Sequence, residues 1–223
     1  MERSTNIFQC LKTVFSIFLI LIITMVSVTG CTSNEHTFNT FSPENLMENA
    51  LGKTDAQVEE ALGVTLEWPD PDTSFSLYPT VECSVPFGDE TADAVVLEFA
   101  GGPGTELTSF SYQFSSLETP EEYWDFLKGL AEQSRKEGLK SALDDYYGPE
   151  NHPVTFADYN SYDEFEEAME KSLEGPIASD PIHGVEDRFF ADDSTYVVYS
   201  MTFTLGIPQR MGIAYVSKDA LNM

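Results

Sequence analysis

The chain has 223 residues and carries 38 Asp and Glu against 11 Lys and Arg, so its formal net charge is −27 at pH 7. Nucleic acids and anionic lipid head groups are bound through Lys and Arg, and so acidic a chain is expected to be repelled by both. The charge favours solubility and cationic partners or divalent ions, although many acidic surfaces are simply solvated.

Residues 1–30 are predicted to be a signal peptide. A mostly polar start with two basic residues precedes an uncharged apolar stretch over residues 14–28. That stretch is shorter than the roughly 20 residues that a helix needs to cross a bilayer. It ends in Val28-Thr29-Gly30-Cys31, where small or β-branched residues precede a cysteine.

This ending resembles the lipobox of bacterial lipoproteins, in which an aliphatic residue, a small one and Gly or Ala precede an acylated Cys. The resemblance covers residues 1–31 and implies cleavage after Gly30, with Val28 and Thr29 completing the cleavage motif. It also implies fatty acyl chains, such as palmitate, on Cys31; two chains anchor a protein stably where one does not. We therefore expect a lipid anchor on the extracytoplasmic face of a bacterial cell membrane. An uncleaved transmembrane anchor is the alternative.

The rest of the chain divides into a tether and two units. Residues 31–42, the lipidated cysteine and a polar run without helical period, are predicted to form a flexible tether. Residues 43–116 and 117–223 each predict helices followed by antiparallel strands. The predicted fold class is α+β, with two pseudo-repeated units of helices packed on an antiparallel β-meander.

The first unit is predicted to contain two short helices and three strands. Ser42 caps a helix that starts at Pro43, and a capping box of Thr54 and Gln57 starts a second helix that Gly63 ends. Its apolar stripe includes Val58, Ala61 and Leu62. Alternation of apolar and polar residues then predicts strands. Their apolar positions are Phe75, Leu77, Val81, Cys83, Val85, Val95, Leu97, Phe99, Phe110, Tyr112 and Phe114.

The second unit repeats this order with three helices. Thr119 and Pro120 start the first helix, residues 139–147 predict the second, and Ser161 caps the third. Two closing strands follow. Their apolar faces are Val197, Tyr199, Met201, Phe203 and Leu205 in one, and Met211, Ile213 and Tyr215 in the other.

The segment 51–63 combines a Gly, a Thr54-capped helix carrying Val58, and a Leu62-Gly63 stop. It resembles a motif of two families of small exported domains, the SmpA-type outer-membrane assembly lipoproteins and the β-lactamase inhibitor protein family. Both continue into a β-meander, and the inhibitor proteins repeat the unit in tandem. These families are non-catalytic and bind other proteins, largely through an exposed sheet face. The second unit lacks a Thr cap at the matching place, and nothing here indicates β-lactamase binding.

The sequence contains no catalytic constellation, so no enzyme and no cofactor are predicted. It has three histidines, His36 in the tether and His152 and His183 in loops, and no Gly-x-Ser-x-Gly, His-Glu-x-x-His or Cys-x-x-Cys motif. A spatial triad that uses a loop histidine is the remaining route to catalysis. Cys83, the one cysteine left after export and acylation, lies in a β-like run. We interpret it as a small buried hydrophobe rather than a nucleophile.

Two clusters of acidic residues offer oxygen ligands of the kind that calcium prefers. They are Asp70-Pro71-Asp72-Thr73-Ser74 and Glu186-Asp187 with Asp192-Asp193. Neither has the spacing of an EF-hand loop, and both sequences are common in turns. No metal site is therefore predicted.

Two functions remain open. The first is a non-catalytic module that binds another envelope or secreted protein, with contacts from exposed sheet aromatics among Trp68, Tyr112 and Tyr196. The alternative is a lipoprotein that binds or senses a small ligand or a divalent ion. A broad exposed sheet face favours the first, and a deep apolar pocket ringed by polar groups favours the second.

The lipid anchor can be tested by the substitution Cys31→Ser, which removes the thiol that accepts the acyl chains. We expect an unprocessed precursor that takes up no labelled fatty acid in growing cells. Incorporation of label into the substituted protein contradicts the assignment.

Overall fold

The computed structural model describes residues 40–70, 77–148, 153–173 and 182–219. The signal peptide, Cys31, His36 and most of the tether lie outside the described residues, as do His152 and part of the first acidic cluster. The predictions that fall on them remain predictions. Within the described ranges, every helix is too short or too polar to cross a membrane.

Six strands form a single antiparallel sheet, so the α+β class is confirmed. The strand order is β1-β2-β3-β6-β5-β4, which places the last strand of each meander, β3 and β6, side by side at the centre. The strands are β1 Thr80–Phe87, β2 Glu90–Phe99, β3 Leu107–Gln113, β4 Gly184–Phe190, β5 Thr195–Thr204 and β6 Ile207–Ser217.

Five α-helices and one 3₁₀ turn accompany the sheet within the described residues. The 3₁₀ turn, Phe156–Asp158, lies between the last two helices. The helices are α1 Pro43–Asn49, α2 Asp55–Leu62, α3 Pro120–Lys136, α4 Leu143–Tyr147 and α5 Tyr162–Leu173.

The helices begin where side chains replace missing backbone partners. The Ser42 hydroxyl accepts a hydrogen bond from the amide of Asn45, and Thr119 accepts one from the amide of Glu122. The Glu122 carboxylate accepts in return from the Thr119 amide, which completes the predicted capping box. Hydrogen bonds from the backbone amides of Glu118 and Thr119 also lower the pKa of Glu122.

One hydrophobic core lies between the helices and the sheet and includes residues from both units. Trp124 of α3 is fully buried and stacks on Phe165 of α5, with ring centroids 5.1 Å apart. The Tyr112 hydroxyl of β3 donates to the carbonyl of Phe41, at a distance of 2.7 Å. Phe41 is itself buried, so the last residues of the predicted tether belong to the folded part.

The predicted helix over residues 139–147 forms only over its last five residues. Gly138 ends the preceding helix with a φ of +86°. The backbone after it runs beside β4, where the amide of Ala142 donates to the carbonyl of Arg188 and the amide of Phe190 donates to Lys140. Pairing with an edge strand thus replaces the helical hydrogen bonds of residues 139–142.

Three apolar positions differ from the predicted pattern. Ala61 faces solvent although α2 buries Val58 and Leu62, because a short helix contacts the core along a narrow stripe. Leu77 is 68% exposed and precedes β1. Leu205 lies in the β5–β6 turn and is 80% exposed, so the alternation of β5 ends at Phe203.

Gly184 is predicted to be essential for stability because its α-carbon lies against the backbone of β5. A Cβ atom built there lies 2.4 Å from the carbonyl oxygen of Met201, closer than real contacts allow. We expect Gly184→Ala to lower the free energy of unfolding by about 1–3 kcal/mol, as overpacking does. The measurement is urea denaturation.

The matched control is Gly129→Ala in the middle of α3, where a Cβ meets nothing within 4 Å. Because glycine is a poor helix former, this change should raise stability by about 0.5–1 kcal/mol. Equal effects of the two substitutions contradict the steric argument.

Candidate binding groove

The sheet has two different faces because successive side chains of a strand point to opposite sides. One face packs large aromatic and aliphatic residues against the helices. The other, which we call the open face, carries polar and smaller aliphatic side chains, with Phe190 and Tyr196 at one end. Paired positions across five strands place Arg188, Val198, Ala214, Ser111 and Val96 in one row on this face.

A groove with a volume of about 980 Å³ lies over the open face. The residues near its centre are small, which leaves room above the backbone. They are Ser109, Ser111, Ser200, Gly212 and Ala214. Hydroxyl groups of β3 and β5, the two strands on either side of β6, therefore line the groove.

An ion pair crosses the groove. Arg210 of β6 contacts the carboxylate of Glu98 on β2, although β3 lies between these two strands. Glu98 also accepts a hydrogen bond from the Ser109 hydroxyl of β3, at 2.7 Å. The pair is partly exposed, so salt is expected to weaken it.

Helix α4 covers the part of the open face formed by β4 and β5. Ala142, just before the helix, is fully buried against Tyr196 and Val198 of β5. The Tyr196 hydroxyl donates to the carboxylate of Asp145 on α4. Burial, followed by this carboxylate, raises the pKa of Tyr196 to about 12, so its hydroxyl stays protonated at neutral pH.

Arg188 of β4 lies where α4 meets the groove and is only 6% exposed. Its guanidinium carbon is 3.5 Å from the ring centroid of Tyr146 and 5.4 Å from that of Tyr196. Its Nε donates to Glu186 at 2.9 Å, and Glu186 also accepts from the Tyr147 hydroxyl at 3.1 Å. Stacking and pairing together fix the arginine in place.

One nitrogen of this arginine, Nη1, is buried without a hydrogen-bond partner among the described residues. An unsatisfied buried donor costs about 1–3 kcal/mol, more when it is charged. Arg188 is therefore a fixed, largely buried cation at one end of the groove.

Strand β4, which supplies Arg188, was not among the predicted strands. Its centre is Glu186-Asp187-Arg188, and three consecutive charges hide the alternation of a half-buried strand. The structure pairs each charge on its own side, Glu186 with Arg188 on the open face and Asp187 with Arg135 of α3 on the other. The signal available in the sequence was the alternation of Val185 and Phe189 around these charges.

The structure separates Glu186 from Asp187 in the second acidic cluster. Glu186 and Asp187 point to opposite faces, and Asp187 is buried beside Arg135. Burial raises the pKa of Asp187, against the lowering effect of Arg135. In the part of the chain that the structure describes, no three His, Cys, Asp or Glu side chains are arranged to hold a metal ion.

The expectation of exposed sheet aromatics is wrong for two of its three residues. Tyr112 is 2% exposed and Tyr196 is 4% exposed. Tyr112 faces the core, and α4 covers Tyr196. Trp68 is half-buried against Phe99, with ring centroids 5.3 Å apart. The open face is broad, but its character comes from small polar residues rather than rings.

Cys83 and His183 lie away from any catalytic arrangement in the described residues. Cys83 is half-buried, and burial followed by the charge of Asp93 raises the pKa of its thiol to about 12. It therefore stays protonated and unreactive at neutral pH. The His183 side chain forms no hydrogen bond to a nucleophile or carboxylate that the structure describes, and its backbone carbonyl accepts from Phe203.

No family model matches the chain, and neither a curated protein nor a solved structure matches it. The resemblances to lipoproteins and to small exported binding domains thus stay predictions from the sequence. The geometry of the groove is the basis for assigning a function.

The pairing of Arg188 with Glu186 can be measured by a double-mutant cycle. Arg188→Met leaves a largely buried carboxylate without its cationic partner and should lower the free energy of unfolding by about 3 kcal/mol. Adding Glu186→Gln should recover part of this loss, with a coupling of about 1–2 kcal/mol. Urea denaturation of the four proteins gives the values; strictly additive losses contradict the pairing.

Proposed function

We propose that the folded part is a non-catalytic domain that binds a segment of another protein on its open sheet face. The lipid predicted on Cys31 holds this domain at the extracytoplasmic face of the cell membrane. The partner is an envelope or secreted protein.

The groove over the open face carries this proposal. It runs across five strands and is roofed by α4 only at one end. Small side chains allow a partner's backbone to approach closely, and the partly exposed hydroxyl groups of Ser111 and Ser200 supply hydrogen bonds for its carbonyl oxygens. Interfaces of this kind combine a broad contact area with about one hydrogen bond per 100–200 Å².

The shape and lining of the groove favour a protein over a small molecule. Its volume of about 980 Å³ lies at the upper end of small-ligand sites, which are mostly apolar and enclose the ligand. Here polar and small apolar residues together line a groove that is open along the sheet. A ligand-binding or ion-sensing lipoprotein is the second candidate, and the buried donor of Arg188 is the observation in its favour.

Charge indicates the kind of partner. Loss of residues 1–30, which hold two basic residues and one acid, leaves a net charge of −28. Long-range attraction to a basic partner speeds encounter, whereas an acidic partner is repelled. We therefore expect a partner with a basic surface whose protruding segment enters the groove.

We further propose that the two units are related as pseudo-repeats. Each half has helices before a three-stranded antiparallel meander, and the final strands β3 and β6 pair with each other. The helices differ, because the first half has two of 7 and 8 residues while α3 alone has 17. The proposal thus rests on the strands.

The test of binding fills the groove and asks whether capture is lost. Ser111 lies in the central row, so Ser111→Trp places a large ring where a partner segment is proposed to lie. We expect crosslinked partner recovered from intact cells to fall about tenfold or more, as when a central interface residue is disrupted.

Glu132→Trp on α3 is the matched control, because this helix packs on the opposite face of the sheet. It should leave capture unchanged, and thermal unfolding should verify that both variants fold. Equal capture by the native protein and Ser111→Trp overturns the assignment to the open face. Loss of capture with Glu132→Trp alone assigns the interface to the helical side.

A further inference from the structure

The hairpin of β5 and β6 extends beyond the rest of the sheet. The last pair that β5 makes with β4 is Thr202 with Gly184, and the last pair that β6 makes with β3 is Ile213 with Tyr112. The two strands continue together to their turn. We call residues 204–209 the hairpin tip.

The hairpin tip exposes two large aliphatic side chains. Leu205 is 80% exposed and Ile207 is 64% exposed. Among the large apolar side chains that the structure describes, Leu77 is the other one with a comparable exposure, at 68%. Pro208, next to Ile207, is also exposed. Single exposed apolar residues are common on protein surfaces, but here two lie together at the end of a protruding hairpin and form a small apolar patch.

Leu205 has a backbone conformation that is unfavourable for leucine. Its φ is +52° and that of Gly206 is +79°, which matches a type I′ turn with positive φ at both central residues. Asn or Asp is favoured at the first of these positions because its short polar side chain tolerates this conformation. An apolar residue held there at a cost indicates a role other than stability.

The hairpin also lacks the charge that dominates the chain. Residues 195–218 contain no Asp or Glu, although the whole chain has 38, and their charged residues are Arg210 and Lys218. The neighbouring element is different. Phe203 at the base of the tip packs on Phe165 of α5, and that helix carries five acidic residues. The tip is therefore an apolar, acid-free projection next to an acidic helix.

We propose that the hairpin tip inserts into the outer layer of the lipid membrane, at the boundary between head groups and acyl chains. This inference rests on the lipid anchor of the proposed function. Two aliphatic side chains alone give weak partition, but a tether raises their local concentration at the bilayer. Residues 32–39 can span at most about 3.3–3.6 Å each, so an anchor on Cys31 keeps the folded part close to the membrane surface.

Insertion of the tip orients the domain. Aliphatic groups enter the acyl region, whereas the acidic residues of α5 are repelled by anionic head groups and favour a zwitterionic surface. Added salt should then increase insertion into anionic vesicles, because it screens this repulsion. A basic amphipathic surface would show the opposite salt dependence.

The experiment uses the lipidated full-length protein, purified from cells and reconstituted in phosphatidylcholine vesicles. Leu205→Trp places a fluorophore at the tip, and lipids brominated near the top of the acyl chain quench it on contact. A tryptophan at the tip that lies about 5–10 Å into the boundary should lose about half of the fluorescence that it adds to that of the two native tryptophans. The control is Asp89→Trp in the exposed β1–β2 turn, which should remain unquenched.

A second variant separates membrane contact from folding. Leu205→Asn suits the turn and should raise the thermal midpoint, so a loss of insertion cannot be attributed to unfolding. With Ile207→Trp as the reporter, Leu205→Asn should reduce quenching about twofold by removing one inserted side chain.

Each contrary outcome overturns the inference in a distinguishable way. If the protein floats with the vesicles but brominated lipid quenches Leu205→Trp no more than Asp89→Trp, the lipid anchor is present and the tip lies in water. Protection of the tip only when another protein is present assigns it to a protein partner. Protein that does not float with the vesicles lacks the anchor, which overturns both the proposed localisation and the insertion of the tip.

Discussion

The antiparallel pairing of β3 with β6 is the interaction on which the rest of the structure depends. It joins two meanders that are separated by about 70 residues of helical and connecting chain into one sheet. The same register places Phe110 of the core and the partly buried Tyr215 face to face, with ring centroids 5.0 Å apart. Neither half needs to bury its hydrophobic face alone, because the helices of both halves cover one continuous hydrophobic face of the sheet.

The alternation of side chains along each strand then determines which charged groups face the core and which face the groove. In β4, Asp187 points into the core side and pairs with Arg135, while Glu186 and Arg188 point to the open face. Asp187, Glu186 and Arg188 are largely buried whereas Arg135 is partly exposed, and a buried charge is tolerated only with a partner. The helical side thus contains the hydrophobic core, and the open side keeps a fixed arginine beside small residues.

The sequence predicted well those features that depend on neighbouring residues. Ser42 and Thr119 cap helices because their side chains accept from amides three residues ahead, and at α2 the Gln57 side chain accepts from the Thr54 amide. The groove could not be predicted, because it depends on which strands pair and on α4 folding over β5. Three adjacent charges hid β4, and the burial of Tyr112 and Tyr196 depends on contacts with distant parts of the chain.

The segment over residues 140–142 has a further consequence for contacts between copies of the protein. Its backbone hydrogen bonds occupy the outer edge of β4, and the carbonyl of Val154 accepts from Glu186 on the same edge. At the opposite edge, β1 contains Pro86 and an irregular register between Glu82 and Val85. Unpaired flat edges recruit strands from other copies, so these features protect crowded molecules from edge-to-edge aggregation.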